Sequence, residues 1–185
     1  MTTLTQPLTG DYVLDASHSR IGFVARHAMV TKVRGSFDEL AGTAHIDFEN
    51  PANSHAELTI QVASVNTGNG QRDEHLRNND FFDAANFPQI TFKSTAAEAV
   101  DHNTYRLTGA LTIKGITKPV AVDLAYTGTA TDPFGNTRIG FEGTTTINRR
   151  DWGVAWNAAL EAGGVLVSDK VTLEFDISAI KIEQD

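Results

Sequence analysis

The chain has 185 residues, of which 41% are hydrophobic, enough apolar material and length for one folded domain. Its 15 basic and 23 acidic residues give a net charge of −8, a field that repels phosphate backbones, so nucleic-acid binding is not expected. The absence of cysteine excludes disulfides, thiolate metal ligands and a cysteine nucleophile.

The N-terminal residues 1–11 are rich in threonine and lack the basic and apolar regions of a signal peptide. We therefore expect a flexible segment over 1–11, one domain over 12–185 and a cytoplasmic location. No window reaches the roughly 18 apolar residues of a membrane helix, so no integral membrane segment is predicted.

Strict alternation of apolar and polar residues recurs along the chain and predicts strands with one apolar face. In the first strand the apolar face runs from Ile21 through Phe23 and Ala25 to His27 and Met29. A hairpin follows, with turn residues around Asn50-Pro51. The inward residues of its two strands are Ala44, Ile46 and Phe48, then Ala56, Leu58, Ile60 and Val62.

Five later segments repeat the pattern, which brings the total to about eight strands joined mostly by short turns. Their apolar residues are Ile90 and Phe92; Tyr105, Leu107, Leu111 and Ile113; Val120, Val122, Leu124 and Tyr126; Ile139, Phe141 and Ile147; Val171, Leu173, Phe175 and Ile177. Short turns favour antiparallel neighbours. The pattern alone leaves both a sandwich with a dry core and a barrel open, and the small inward residues Ala25, Ala44, Ala56, Gly109 and Gly143 favour a cavity.

Two stretches break the alternation, at 68–87 and 149–164. Within the first, Gln71 to Asn79 is predicted to form a short helix across one barrel end. The second, which contains Trp152 and Trp156, is predicted to be a long loop.

No catalytic or metal site is predicted. The six histidines lack the close spacing of metal ligands on one strand or helix, and His27 alone is expected to lie inward. There is no Gly-x-Ser-x-Gly motif and no phosphate-binding glycine loop. Most carboxylates fall on solvent-facing strand positions.

The segment from Arg72 to Asp83 combines charge with paired aromatic residues and allows two interpretations. It could receive a ligand's polar head group, through Arg72, His75 and Arg77. It could equally be a structural plug in which the charged side chains bond to each other and to carbonyl groups at the barrel end.

Several short motifs share an order and spacing that resemble the YceI-like polyisoprenoid-binding proteins over Tyr12 to Ile180. They are Tyr12, Asp15 to Phe23, His27, Gly35 to Phe37, Arg72 to Asp83, Phe87 to Phe92, Gly109 to Gly115, Thr117 to Val120, Arg149 to Gly153 and Ser168 to Val171. The resemblance implies an all-β, eight-stranded antiparallel lipocalin-like barrel around a long isoprenoid.

The function then expected is non-enzymatic binding, carriage or storage of a polyprenyl phosphate or an isoprenoid quinone, without a cofactor. The alternative is an enzyme or stress-response factor that acts through the Arg72 to Asp83 segment. A homodimer is a possible assembly. The residues predicted to hold the lipid tail are Phe23, Leu58, Ile60, Phe92, Leu107, Leu111, Leu124, Phe141, Leu173 and Phe175.

Overall fold

The computed structural model describes residues 8–158, 160 and 166–182, which form eleven strand segments and one α-helix. The strands are β1 (Gly10–Leu14), β2 (Arg20–His27), β3 (Thr31–Phe37), β4 (Leu40–Ile46), β5 (His55–Gln61), β6 (Val65–Asn66), β7 (Gln89–Ala99), β8 (Thr104–Ile113), β9 (Ile116–Thr131), β10 (Thr137–Asn148) and β11 (Lys170–Lys181). The helix is α1 (Gly70–Arg77), and short 3₁₀ turns span Ala16–His18, Pro51–Asn53, Val62–Ser64 and Arg149–Trp152.

The segments build eight barrel strands, because β1 with β2, β3 with β4, and β5 with β6 are each one strand with an interruption. The last strand, β11, closes the barrel by pairing with both halves of the first, at Leu14 opposite Ala179 and Arg20 opposite Asp176. All neighbouring strands are antiparallel and sequential. The predicted closed eight-stranded barrel is confirmed, and the sandwich is excluded.

The interruption in the first strand is held by a small polar network. Asp15 caps the 3₁₀ turn by accepting the backbone N–H of Ser17, and its own N–H donates to Ser178 across the barrel seam. The guanidinium of Arg138 bonds the Asp15 carboxylate and also that of Asp132. The Arg138 hydrogen bond holds the pKa of Asp15 well below its usual range.

The two barrel ends differ in what covers them. At the end that we call the helix end lie α1, the Arg149–Trp152 turn and the described residues 153–158 and 166–169. At the opposite end, which we call the aromatic end, Phe48 and Tyr126 pack with Phe141 around a buried cluster that includes Tyr12.

The predicted helix is present and slightly displaced, over Gly70–Arg77 instead of Gln71 to Asn79. Asn69 begins it by accepting the N–H of Arg72, and Asn78 is its C-cap in extended backbone. No helix in the described part of the chain is long and apolar enough to cross a membrane.

One expectation about the N-terminal third needs correction, and the flexible segment over 1–11 stays a prediction. His27 is exposed, because β2 has there passed its last pairing with β11 at Val24 and lies at the barrel rim, bridged to Val167. Of the predicted flexible segment 1–11, residues 1–7 lie outside the described residues. Leu8 is buried and accepts the Tyr12 hydroxyl, and β1 begins at Gly10.

Candidate functional site

The barrel encloses a cavity of about 330 Å³ whose walls are almost entirely apolar. It arises because each strand directs alternate side chains inward and the barrel has no second sheet to fill the space between them. All ten residues predicted to hold a lipid tail border it: Phe23, Leu58, Ile60, Phe92, Leu107, Leu111, Leu124, Phe141, Leu173 and Phe175. Their contact with a lipid stays a prediction.

Small inward side chains leave part of this space open. Ala44 and Ala56 lie directly opposite each other on β4 and β5, and both border the cavity together with Ala25. Gly109 does not contribute space, because the Phe92 ring lies against it so closely that a Cβ atom there would be 2.4 Å from the ring. Gly143, the other small residue expected to contribute, is also absent from the described lining.

The helix end is covered by side chains that the strand pattern did not identify. Leu76 on α1 and the following Phe81 and Phe82 border the cavity. The buried Trp152 joins them, and its indole N–H donates to the carbonyl of Leu111, 2.9 Å away. The paired aromatics and the Trp were visible in the sequence, but only the tertiary structure brings them over the same opening.

Arg149 is a buried residue at the cavity wall that sequence reasoning missed. Its side chain ties residues 154–156 to residues 167 and 168 at the helix end, since burial leaves the guanidinium no water to bond and it binds protein carbonyls instead. Burial lowers its pKa. It donates to the carbonyls of Val154, Trp156, Val167 and Ser168 at 2.6 to 3.3 Å.

The tyrosines at the aromatic end are buried or half-buried. Tyr12 is fully buried and donates its hydroxyl to the carbonyl of Leu8, and burial, followed by the nearby Tyr126, raises the pKa of Tyr12 to about 12. Burial also raises the pKa of Tyr105, which borders the cavity. These hydroxyls stay protonated at neutral pH, so the aromatic end places no tyrosinate in the cavity.

Two of the charged residues that border the cavity, Glu57 and Arg106, have side chains paired with partners outside it. Glu57 lies 3.5 Å from Lys93, and Arg106 binds the Asp123 carboxylate at 2.8 Å, all with side chains at least 43% exposed. The alternation that places Ala56 and Leu107 inside therefore places these neighbours outside.

The three predicted head-group residues belong to α1 but do not border the cavity. Arg72 donates to the hydroxyl and the carbonyl of Thr67, and Arg77 donates to the carbonyl of Ala63. His75 bonds Asp80 and packs against the rings of Phe81 and Trp156. These contacts support the structural interpretation of the segment, and head-group binding stays a prediction.

The fold pairs two histidines that are ten residues apart in the sequence. The rings of His45 and His55 stack with centroids 5.6 Å apart on the outer face of the β4–β5 hairpin, and His45 also bonds Asp11 at 2.8 Å. Strand register brings them together, which spacing along the chain could not indicate. Nevertheless, no group of three His, Asp or Glu side chains among the described residues is arranged to hold a metal ion.

Residues 12–179 match the family model described as a YceI-like domain. A UPF0312 protein of Staphylococcus aureus is 37% identical over 165 residues, covering 89% of this chain and 94% of the relative. A UPF0312 protein of Pseudomonas savastanoi is 34% identical over 151 residues, covering 80% and 79%.

Solved structures agree with the barrel. BcnA of Burkholderia cenocepacia superposes with a TM-score of 0.79 at 27% identity, covering 89% of this chain and 98% of that one. The YCEI protein of Campylobacter jejuni gives 0.74 at 30% identity, covering 85% and 90%. A polyisoprenoid binding domain from Saccharophagus degradans shares the fold, with a TM-score of 0.69 at 18% identity, covering 92% and 98%. Because the family model spans almost the whole barrel and the relatives align over most of both chains, this chain belongs to the YceI-like family.

Proposed function

We propose that this protein binds a long-chain isoprenoid in its barrel, without catalysis, and carries or stores it. The observation that supports the proposal best is the apolar cavity of about 330 Å³. Hydrocarbon gains about 25 cal/mol for each Å² removed from water, so such walls favour an apolar chain over a polar solute. The fold shared with a polyisoprenoid binding domain adds support for the ligand class.

We further propose that the group buried in the cavity is uncharged. Four charged residues border the cavity, and each is already bonded within the protein. Arg149 is buried and donates to four carbonyls. The carboxylate of Asp47 accepts two backbone N–H groups, and Glu57 and Arg106 form ion pairs. A phosphate buried beside apolar walls would lose its hydration without a free partner, which is costly. An isoprenoid quinone therefore fits the interior better than a polyprenyl phosphate, whose head group would have to stay in water.

The first test is native mass spectrometry of the protein purified from cells, followed by extraction and identification of the ligand. We expect one unmodified isoprenoid for each chain. Added isoprenoid should be recovered unchanged after incubation, whereas its conversion to a product would contradict a non-enzymatic role and favour the alternative of an enzyme.

The second test places a charge in the wall. Leu58→Asp should abolish ligand retention because an unpaired buried carboxylate is costly, while Thr59→Asp puts the same charge on the next, outward position of β5. Thermal unfolding of both variants identifies any loss of fold. Equal retention by Leu58→Asp and the original protein would overturn the assignment of the cavity.

The head group is tested with a polyprenyl phosphate and an isoprenoid quinone of equal chain length. If Arg72 and Arg77 bind phosphate, replacing both with Gln weakens the polyprenyl phosphate far more than the quinone, and most at low salt. If they act through Thr67 and Ala63, as their contacts support, the affinity for both ligands falls equally and the melting temperature falls.

The homodimer stays a prediction. Light scattering of the purified protein would test it by measuring the molar mass in solution.

A further inference from the structure

The hairpin of β2 and β3 continues past the last β2–β11 pairing at the helix end of the barrel, and there residues 26–28 bond to residues 166–168. Its ladder continues to His27 opposite Thr31, three residues past the last pairing of β2 with β11. We call residues 26–34 of this hairpin the β2–β3 tip. At its turn the side chains of Met29 and Val30 are 60% and 75% exposed.

The backbone of this turn disfavours the residues that occupy it. Ala28 and Met29 have φ angles of 52° and 64°, both in the left-handed region. Three residues connect the strands, and the Val30 N–H closes a β-turn on the carbonyl of His27. A β-turn whose two central residues both have positive φ is the type that Asn-Gly suits best. Met29 is both exposed and in this strained backbone region, and it does not serve the stability of the folded chain there. Such strain points to a role in binding.

The tip is also a basic region of an acidic protein. The continuous stretch 20–37 contains four basic and no acidic residues, in a chain of net charge −8. Lys32 has no ion-pair partner in the described part of the chain. Arg34 is paired with Glu174, and Arg26 braces the turn by donating to the carbonyl of Val30.

The tip lies beside the cavity. Ala25, on the strand that leads to it, borders the cavity, and so does Val167, which forms a bridge with His27. At about 3.3 Å for each strand residue, the end of β2 at His27 lies roughly 7 Å from the cavity wall at Ala25, and the turn follows directly. Whatever the tip contacts is therefore held close to the helix end.

We propose that the β2–β3 tip docks this protein on an anionic lipid bilayer. Met29 and Val30 enter the boundary between head groups and acyl chains, and Arg26 and Lys32 approach anionic head groups. Exposed apolar residues flanked by basic ones suit such a surface, because apolar burial and attraction to anionic lipids add together. The inference rests on the proposed function for its purpose, since docking would bring the helix end to the membrane in which an isoprenoid resides.

The experiment is flotation with vesicles of phosphatidylcholine alone or with about one third phosphatidylglycerol. The protein should float with the anionic vesicles, less at high salt, and not with neutral ones. Replacing the turn by Ala28→Asn, Met29→Gly and Val30→Ser should weaken the partition at least about tenfold. Lys32→Glu should weaken it at least about fivefold.

The control is Phe134→Ser. Phe134 is 87% exposed on the β9–β10 turn at the aromatic end. It is therefore an accessible apolar side chain at the barrel end opposite the β2–β3 tip. It should leave flotation unchanged. The Asn-Gly turn suits the observed backbone, so the turn variant should melt at or above the original temperature, and lost flotation then cannot be attributed to unfolding.

The proposal is overturned if the original protein does not float with anionic vesicles, if the turn variant floats equally well, or if Phe134→Ser loses as much. The cavity is judged separately, by the ligand found in protein purified from cells. A protein that floats but carries no isoprenoid supports docking and contradicts the proposed function. A protein that carries isoprenoid but does not float contradicts docking alone.

Discussion

A larger apolar side chain on the cavity wall should stabilise the ligand-free barrel and exclude the ligand. Ala56→Leu adds three carbon atoms at an inward position that faces Ala44 across the β4–β5 ladder. At about 0.8 kcal/mol for each buried carbon, the substitution should raise the free energy of unfolding by about 2 kcal/mol. For a chain of this length that corresponds to a rise in melting temperature of about 4–8 °C.

A packed interior predicts the opposite sign, because extra carbons in a filled core cost about 1–3 kcal/mol. The assay is therefore thermal and urea unfolding of delipidated protein, with retained isoprenoid measured on protein purified from cells. Ala41→Leu is the matched control, since it makes the same change at an exposed position of β4 and should alter stability by less than about 0.5 kcal/mol. A lower melting temperature for Ala56→Leu, or undiminished ligand, would refute the reasoning.

Three further outcomes are expected. Arg149→Met should lower the free energy of unfolding by about 3 kcal/mol, because four carbonyls lose a buried cationic donor. Hydrogen exchange at Val154 and Val167 should become faster. Unchanged exchange there would contradict the proposed role of Arg149 in holding these residues at the helix end. The depressed pKa of Asp15 stabilises the fold above the ordinary aspartate pKa near 4, and this contribution is lost as pH falls further. Urea unfolding between about pH 4 and 2 should therefore show a weaker pH dependence in Asp15→Asn than in the original protein. Elemental analysis after dialysis should find no stoichiometric zinc, copper or iron, and a stoichiometric metal would show a site that the histidine positions do not indicate.

The alternation along each strand was sufficient to predict the cavity wall. Which face of a strand a side chain occupies follows from its own position and its immediate neighbours. Leu58 and Ile60 are therefore predictable without knowledge of what lies across the barrel. The same rule fails for His27, whose phase is inward but which is exposed at the barrel rim, past the last pairing of β2 with β11. Alternation in the sequence shows on which face of a strand a side chain lies. Only the pairing of the strands shows whether other residues lie opposite that face.

Polar side chains were harder to place because their partners come from distant parts of the chain. The sequence alone determined that Arg72, His75 and Arg77 share one short helix, but it could not show that two of them bond nearby carbonyls and the third bonds Asp80. Composition and alternation thus determined a single β domain with an apolar inner face, since both depend on local residue type. Closure of the barrel, the fastening of its helix end by Arg149 and the position of the β2–β3 tip were decided by the tertiary structure, because each depends on contacts between residues far apart in the sequence.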